Sequence, residues 1–187
     1  MTQLIEFSSQ QQTLRALLNP AKNKIGVIFL PGYERSSVDY KFKNIVDQLK
    51  GQVNLFRFDF SGHGISDGSF AQITNESLLN EIKLACQALK QHCLQVKKLV
   101  LVSHSFAGCL ALKHTKQNPN HINKLVFLAP AFNQKNYTGF GLRGVFKLIN
   151  RLPGITLASI LLLKNITNMY NNPVNLVKPI FTLKLIG

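Results

Sequence analysis

The sequence predicts an α/β fold built around a mostly parallel sheet. Short apolar-rich runs alternate with longer stretches of helical periodicity between residues 14 and 128. The run Ile25–Leu30 is apolar without interruption, which is typical of a parallel strand buried on both faces. Strands that alternate with helices imply right-handed βαβ connections, and these bring successive strands into one sheet.

Local signals place the elements in chain order. Strands are predicted at residues 4–7, 14–18, 25–30, 53–58, 98–102 and 125–128, and the first two form a leading hairpin. Helices are predicted after a cap at Ser36 or Ser37, after a cap at Thr74 or Asn75, and at 106–117. Helical spacing marks the buried faces of the first two as Phe42, Ile45, Val46 and Leu49, and as Leu78, Ile82, Ala85, Leu89 and Cys93.

The alternation stops after Pro130. Two helices are predicted at 140–152 and 155–164, followed by a tail broken by Asn and Pro. We therefore divide the chain into a core at residues 1–132 and a cap-like helical segment with a broken tail at 133–187. The longest uncharged apolar stretch in that segment is nine residues. A bilayer span needs about 20, so no transmembrane helix is predicted.

Length, composition and charge limit the classes of function. The chain has 187 residues, 45% of them hydrophobic and 16% charged, as expected of one globular domain. The net charge of +14 arises in the second half, because all eight acidic residues lie at or before Glu81. Residues 82–187 contain fourteen Lys and Arg. No carboxylate side chain beyond Glu81 can therefore serve catalysis or bind a metal.

The cysteines and histidines outside the motifs predict no metal site. Cys86, Cys93 and Cys109 are an odd number without metal-ligand spacing, and we interpret them as reduced thiols half-buried on helices. His114 and His121 are predicted to be exposed surface residues. The polar start of the chain favours the absence of a secretory leader. We therefore expect a cytoplasmic protein with no metal and no cofactor.

The most informative motif is a serine between a predicted strand and a predicted helix. Residues 102–108 read VSHSFAG, with Ser105 at the turn. A nucleophilic serine on a tight strand-to-helix turn needs small residues two positions before and after it, and Ser103 and Ala107 fill these positions. The backbone N–H of Phe106, at the helix start, is placed to face a developing oxyanion.

Two further segments end predicted strands. Leu30-Pro31-Gly32-Tyr33 follows one strand, and residues 59–68, DFSGHGISDG, follow the next. In this order the segments resemble the α/β-hydrolase family, in its small esterase and monoacylglycerol-lipase-like, serine aminopeptidase-like branch. The resemblance runs from about Leu4 to Phe132. It implies that Ser105 is the nucleophile, that the backbone N–H groups of Tyr33 and Phe106 form the oxyanion hole, and that the substrate is a small acyl ester.

The acid and base of the family's triad are not found. The family places them after the nucleophile, yet no Asp or Glu follows Ser105, and the later histidines are His114 and His121. Neither lies where the family's base would reach the serine. We interpret the chain as a C-terminally truncated hydrolase that lacks the last strands of the fold, and we expect little or no turnover from it.

Two alternatives remain at this point. The first is a non-catalytic remnant whose basic second half binds an anionic membrane surface or nucleic acid. Nucleic acid is disfavoured, because the chain has no Arg-rich run and no aromatic stacking platform. The second is a partner chain that supplies the acid and base across an interface. The sequence leaves open the oligomeric state, the acyl group and the choice among ester, thioester and amide.

Overall fold

The computed structural model describes residues 1–131, so the predicted helices at 140–152 and 155–164 and the cap-like segment lie outside the described residues. Six strands and three helices form this part of the chain. The strands are β1 (Gln3–Ser9), β2 (Gln12–Asn19), β3 (Ile25–Leu30), β4 (Asn54–Phe58), β5 (Lys98–His104) and β6 (Lys124–Leu128). The helices are α1 (Tyr40–Leu49), α2 (Asn75–His92) and α3 (Ala107–Gln117), with a 3₁₀ turn at Phe70–Gln72.

The strands form one six-stranded sheet in the order β1-β2-β4-β3-β5-β6. Four neighbouring strands, β4, β3, β5 and β6, run parallel to one another. The β1–β2 hairpin joins this group through an antiparallel pairing of β2 with β4. The predicted α/β class and the leading hairpin are therefore confirmed. Within residues 1–131, β6 is the last strand of the sheet and pairs with β5.

Helices cover the sheet on both faces. Along β3, Ile28 and Leu30 face the core formed with α2 and α3, whereas Val27 and Phe29 face the core formed with α1. This alternation explains why the strand is apolar at every position, since each face is covered by a helix. The predicted apolar stripes of α1 and α2 are buried in these two cores.

The predicted cap of α1 is wrong. The helix begins at Tyr40, and its first backbone N–H groups, those of Phe42 and Lys43, donate to the carbonyl of Asp39 at 3.0 Å. Ser37 is fully buried and bonds instead to Asp59, beyond the end of β4. The Ser37 hydroxyl therefore makes a long-range hydrogen bond to Asp59 and does not cap the helix, although local preference would predict that role. The prediction for α2 is confirmed, because Thr74 accepts from the Ser77 N–H in a capping box.

Burial also corrects the predicted positions of several side chains. All three cysteines are buried rather than half-buried. His114, predicted to lie on the surface, is 1% exposed, because α3 packs against α2 along the face that carries it. His121 is half-buried in the turn before β6. No helix within residues 1–131 is long and apolar enough to span a membrane.

Candidate active site

The loops that carry the predicted site residues meet at one edge of the sheet. Parallel strands place their carboxyl ends on the same side, and the β3–β5 and β5–β6 registers align Leu30 with Ser103 and His104 with Leu128. Ligand sites of open parallel sheets lie beyond this edge. The loops after β3, β4 and β5 are therefore neighbours, as the sequence predicted.

Ser105 occupies the turn between β5 and α3 with a left-handed backbone, at φ 52°. Residues other than glycine seldom adopt this conformation, and it marks strain that the surrounding structure must hold in place. Two hydrogen bonds hold it. The Ser105 N–H donates to the Leu128 carbonyl at 3.0 Å, and the Ser105 carbonyl accepts from the Ala131 N–H at 3.1 Å.

The small residues on either side of Ser105 are fully buried, as the motif requires. Ser103 donates its hydroxyl to the Val126 carbonyl on β6 at 3.2 Å, and Ala107 is packed in the core. The helix starts at once, since the N–H groups of Gly108 and Cys109 donate to the carbonyls of Ser105 and Phe106. The partial positive charge of the α3 N-terminus therefore lies beside the serine.

The loop after β3 lies directly against this turn at Gly32. A Cβ atom added to Gly32 would lie 2.8 Å from the His104 Nδ1 atom and 3.2 Å from the Ser105 Cβ atom. A side chain at this position would push the loop away from the serine. Glycine thus lets the loop approach Ser105 at position 32. The ring of the next residue, Tyr33, packs edge-on against Phe106, with 6.1 Å between ring centroids.

The glycine-rich turn after β4 is built around the buried carboxylate of Asp59. The Ser37 N–H and hydroxyl and the Ile65 N–H all donate to this carboxylate. Gly64 closes the turn at φ 51°, and a Cβ atom there would overlap the Asp59 carboxylate. Burial raises the pKa of Asp59, while its hydrogen bonds act in the opposite direction.

A second buried carboxylate, Glu81 on α2, anchors the same turn. Its two oxygens accept from the Ser61 N–H at 3.0 Å and from the Ser61 hydroxyl at 2.7 Å. Next to this contact, His63 is buried, with its Nδ1 atom 2.9 Å from the Ser61 carbonyl and its ring against Phe70. The turn is therefore a rigid wall of the site, and His63 shapes it.

We expect Glu81→Gln to flatten the dependence of stability on pH. Burial raises the pKa of Glu81, so the folded chain binds the proton more tightly than the unfolded chain does. The stability linked to this proton is present in acid and is lost as the pH rises through the elevated pKa. Glutamine keeps an acceptor for the Ser61 N–H and a donor toward its hydroxyl without a titrating group.

Urea unfolding of both chains between pH 4 and 8 measures this effect. The exposed Glu76→Gln on the same helix is the matched control and should leave the pH profile unchanged. Parallel profiles for the unchanged chain and Glu81→Gln would show that the Glu81 carboxyl does not titrate differently on folding.

A cleft of about 700 Å³ opens between the loop after β3 and the glycine-rich turn. Its lining includes Arg35, Tyr40, His63 and Phe70. Ser105 itself is not among the lining residues. The Tyr33 ring lies against Phe70, with 4.6 Å between centroids, and so stands between the cleft and the serine turn.

Each histidine outside the glycine-rich turn contacts another ring or a backbone carbonyl. His114, in the last turn of α3, lies beside His121 of the turn before β6, with ring centroids 5.9 Å apart. Burial, and then the charge of His121, lower the pKa of His114 to about 4, so it is neutral at pH 7. The His104 ring meets Phe42 of α1, and His92 contacts the Ala88 carbonyl at the end of α2.

Sequence reasoning missed the groups that support the site. The sequence predicts Ser37 as a helix cap and gives Glu81 no structural role. The sequence feature that marks Glu81 is its place, as a charged residue, beside Ile82 in the apolar stripe of α2. A buried carboxylate needs partners, and the glycine-rich turn supplies them. Cys86 also meets His114 and His121, a contact between separate elements that no sequence spacing reveals.

Comparison with known proteins agrees with this geometry. The family model described as "Serine aminopeptidase, S33" matches residues 21–177. The protein "Putative esterase/lipase 2" of Mycoplasma pneumoniae is 30% identical over 136 residues, covering 72% of this chain and 48% of that protein. Its namesake from Mycoplasma genitalium is 30% identical over 121 residues, covering 64% and 42%. The chain thus spans about half the length of the curated relatives it matches.

Solved structures share the same fold. Est1E from Butyrivibrio proteoclasticus, a structure with bound ferulic acid, superposes with a TM-score of 0.63 at 25% identity. The match covers 71% of this chain and 55% of Est1E. The predicted resemblance to α/β hydrolases of the serine aminopeptidase-like branch is confirmed.

Proposed function

The chain belongs to the serine aminopeptidase S33 family, and from this premise we propose that it is a carboxylic-ester hydrolase with Ser105 as its nucleophile. The observation that carries the proposal is the strained turn at Ser105, with φ 52°, against which Gly32 lets a second loop pack. The relatives named as esterase/lipase support the choice of an ester bond.

In the proposed reaction the Ser105 Oγ atom attacks the acyl carbon of the ester. The bond to the leaving alcohol breaks, and the serine proton passes by way of a base to that alcohol. The backbone N–H groups of Tyr33 and Phe106 stabilise the negative oxygen of the tetrahedral intermediate. Removal of one oxyanion donor of this kind lowers kcat by about 10²–10³-fold. Water then hydrolyses the acyl-serine and regenerates the hydroxyl.

Aromatic side chains around the serine turn favour an apolar acyl group. The Tyr33 ring is half-exposed and contacts both Phe70 and Phe106, so these three rings form an apolar edge beside Ser105. The substrate class we propose is therefore a small ester whose acyl group packs on these rings while its carbonyl faces the serine turn.

The proposed mechanism also predicts low activity for the 187-residue chain by itself, because the mechanism needs a base. No Asp or Glu follows Ser105 in the sequence, and the two histidines that follow it, His114 and His121, contact each other. Without a base the hydroxyl stays protonated, and the oxyanion hole and binding alone leave about 10³–10⁴-fold acceleration over water. We propose that a base added in solution restores acylation at Ser105.

Hydrolysis of p-nitrophenyl butyrate tests the proposal. We expect slow release of nitrophenol by the unchanged chain and a clear increase when imidazole is added, after subtraction of the reaction of imidazole alone. Ser105→Ala should abolish the protein-dependent part under both conditions. The matched control is Ser69→Ala, which removes an exposed serine hydroxyl near the same cleft and should react as the unchanged chain does.

Two results would count against the proposal. If folded Ser105→Ala released nitrophenol as fast as the unchanged chain, the activity would come from another group. If imidazole failed to increase the rate of the unchanged chain, Ser105 would not be positioned for acylation.

A further inference from the structure

Three potential metal ligands meet on the side of the sheet covered by α2 and α3. Cys86 lies on α2, His114 lies on α3, and His121 lies in the turn before β6. Their ligand atoms, one thiol sulfur and two ring nitrogens, all lie within 4.8 Å of one another. The packing of three separate segments thus brings together side chains that are 28 and 7 residues apart in sequence.

A nitrogen without a partner points to a ligand at this cluster. The His114 side chain is 1% exposed, and within the described residues its Nε2 atom has no hydrogen-bond partner. A buried polar atom left unpaired costs about 1–3 kcal/mol. The ring does have a hydrogen-bonding contact with the Leu79 backbone, which orients it against α2. A histidine held from one side, with a free nitrogen on the other, resembles the arrangement of metal-bound histidines.

We propose that Cys86, His114 and His121 form a site for a zinc-like divalent ion. Zn²⁺ takes thiolate and imidazole ligands and accepts three protein ligands with water in the fourth position. Cys86 and His114 are buried, whereas His121 is half-buried, so solvent reaches the cluster on the side of His121. A carboxylate-preferring ion such as Mg²⁺ or Ca²⁺ does not suit a thiolate and two imidazoles.

The distances need little adjustment. Zinc bonds of about 2.3 Å to sulfur and about 2.0–2.1 Å to nitrogen place tetrahedral ligand atoms roughly 3.5 Å apart. Ligand atoms that now lie within 4.8 Å of one another reach that geometry by movements of about 1 Å. Side-chain rotation at the half-buried His121 supplies such a movement for its own ring, and small rotations of the Cys86 and His114 side chains must supply the rest.

The surrounding charges act in two directions. Burial raises the pKa of the Cys86 thiol to about 12, and Lys90 acts in the opposite direction. Burial, then His121 and to a smaller extent Lys83, lower the pKa of His114. These lysines favour the thiolate and the neutral imidazole, which are the forms that bind metal. Their positive charge also repels a divalent cation.

The site is independent of the proposed ester chemistry. His114 lies seven residues after the start of α3, about 10 Å along the helix from the serine turn. A bound ion would join α2, α3 and the turn before β6, and would hold the helix whose first turn follows Ser105. Its role is to fix the position of this helix, and it would raise the thermal stability of the chain.

Co²⁺ binding to the reduced 187-residue chain tests the site, because Co²⁺ replaces zinc and its bond to a thiolate absorbs in the near-ultraviolet. We expect one Co²⁺ per chain, a thiolate charge-transfer band, displacement of the band by Zn²⁺, and a higher melting temperature with either ion. Cys86→Ser should remove the band. Mutation of a residue that only hydrogen-bonds to a metal ligand lowers metal affinity about 10–100-fold. Loss of a direct ligand in His121→Ala should therefore weaken Co²⁺ binding by at least about tenfold.

Control substitutions at a cysteine and a histidine outside the cluster show whether the loss of Co²⁺ binding is specific to the proposed ligands. Cys93→Ser changes another buried cysteine, and His92→Ala removes an exposed histidine of α2, and both should bind Co²⁺ as the unchanged chain does. Because His121 is half-buried, its variant keeps the test valid even if Cys86→Ser fails to fold. Absence of saturable binding, or binding that His121→Ala and folded Cys86→Ser leave unchanged, would overturn the proposal.

Discussion

A Gly32→Ala chain should acylate Ser105 about 100-fold more slowly than the unchanged chain when imidazole supplies the base. The added Cβ atom would lie 2.8 Å from the His104 Nδ1 atom and 3.2 Å from the Ser105 Cβ atom, so the loop after β3 must move outward. That movement would withdraw the Tyr33 N–H, one of the two oxyanion donors that we propose. The loss of one such donor costs about 10²–10³ in kcat.

The measurement is the imidazole-dependent release of nitrophenol, read together with the free energy of unfolding. Crowding at Gly32 should cost about 1–3 kcal/mol, which leaves a typical domain folded. Gly51→Ala is the control for introducing an alanine, because nothing lies within 4 Å of a Cβ atom at that position. A folded Gly32→Ala chain that acylates at the unchanged rate would show that Tyr33 contributes no oxyanion donor.

Gly64→Ala should strongly destabilise the folded chain. The residue has φ 51°, and a left-handed backbone costs an L-residue about 1–2 kcal/mol. The new Cβ atom also overlaps the Asp59 carboxylate, which cannot move freely, because Ser37 and Ile65 donate hydrogen bonds to it. Overpacking adds about 1–3 kcal/mol. We therefore expect a loss of about 2–5 kcal/mol in the free energy of unfolding.

Gly51→Ala again provides the comparison, since it has a positive φ of 82° but open space around the Cβ position. It should lose about 1–2 kcal/mol from the backbone alone. Urea unfolding of the three chains separates the two contributions. Equal losses for Gly64→Ala and Gly51→Ala would mean that the Asp59 carboxylate does not restrict the glycine-rich turn.

Local periodicity was sufficient to predict most elements of the fold. β3 and residues 99–102 of β5 are apolar throughout because helices cover both faces of the sheet, and this pattern is visible in the sequence. Thr74 caps α2 through neighbouring residues, so its role is also visible locally. The serine turn could be predicted for the same reason, since the small residues at 103 and 107 are required by adjacent backbone.

The errors arose where side chains contact residues distant in sequence. Ser37 has the character of a cap but bonds to Asp59, 22 residues later. Glu81 is buried against Ser61, 20 residues earlier, and His114 is buried because α3 packs on α2. No periodic pattern encodes such contacts. The cluster of Cys86, His114 and His121 likewise exists only once the helices have packed.

The most direct test of the central claim is to map the site of fluorophosphonate labelling on the folded chain by peptide mass spectrometry. Labelling with and without imidazole is compared with labelling of Ser105→Ala and of a heat-unfolded sample. We predict an adduct on Ser105 of the folded chain that forms in the presence of imidazole and is lost in both controls. An adduct on another residue, or a folded chain that imidazole fails to activate, would contradict the assignment of Ser105 as the nucleophile.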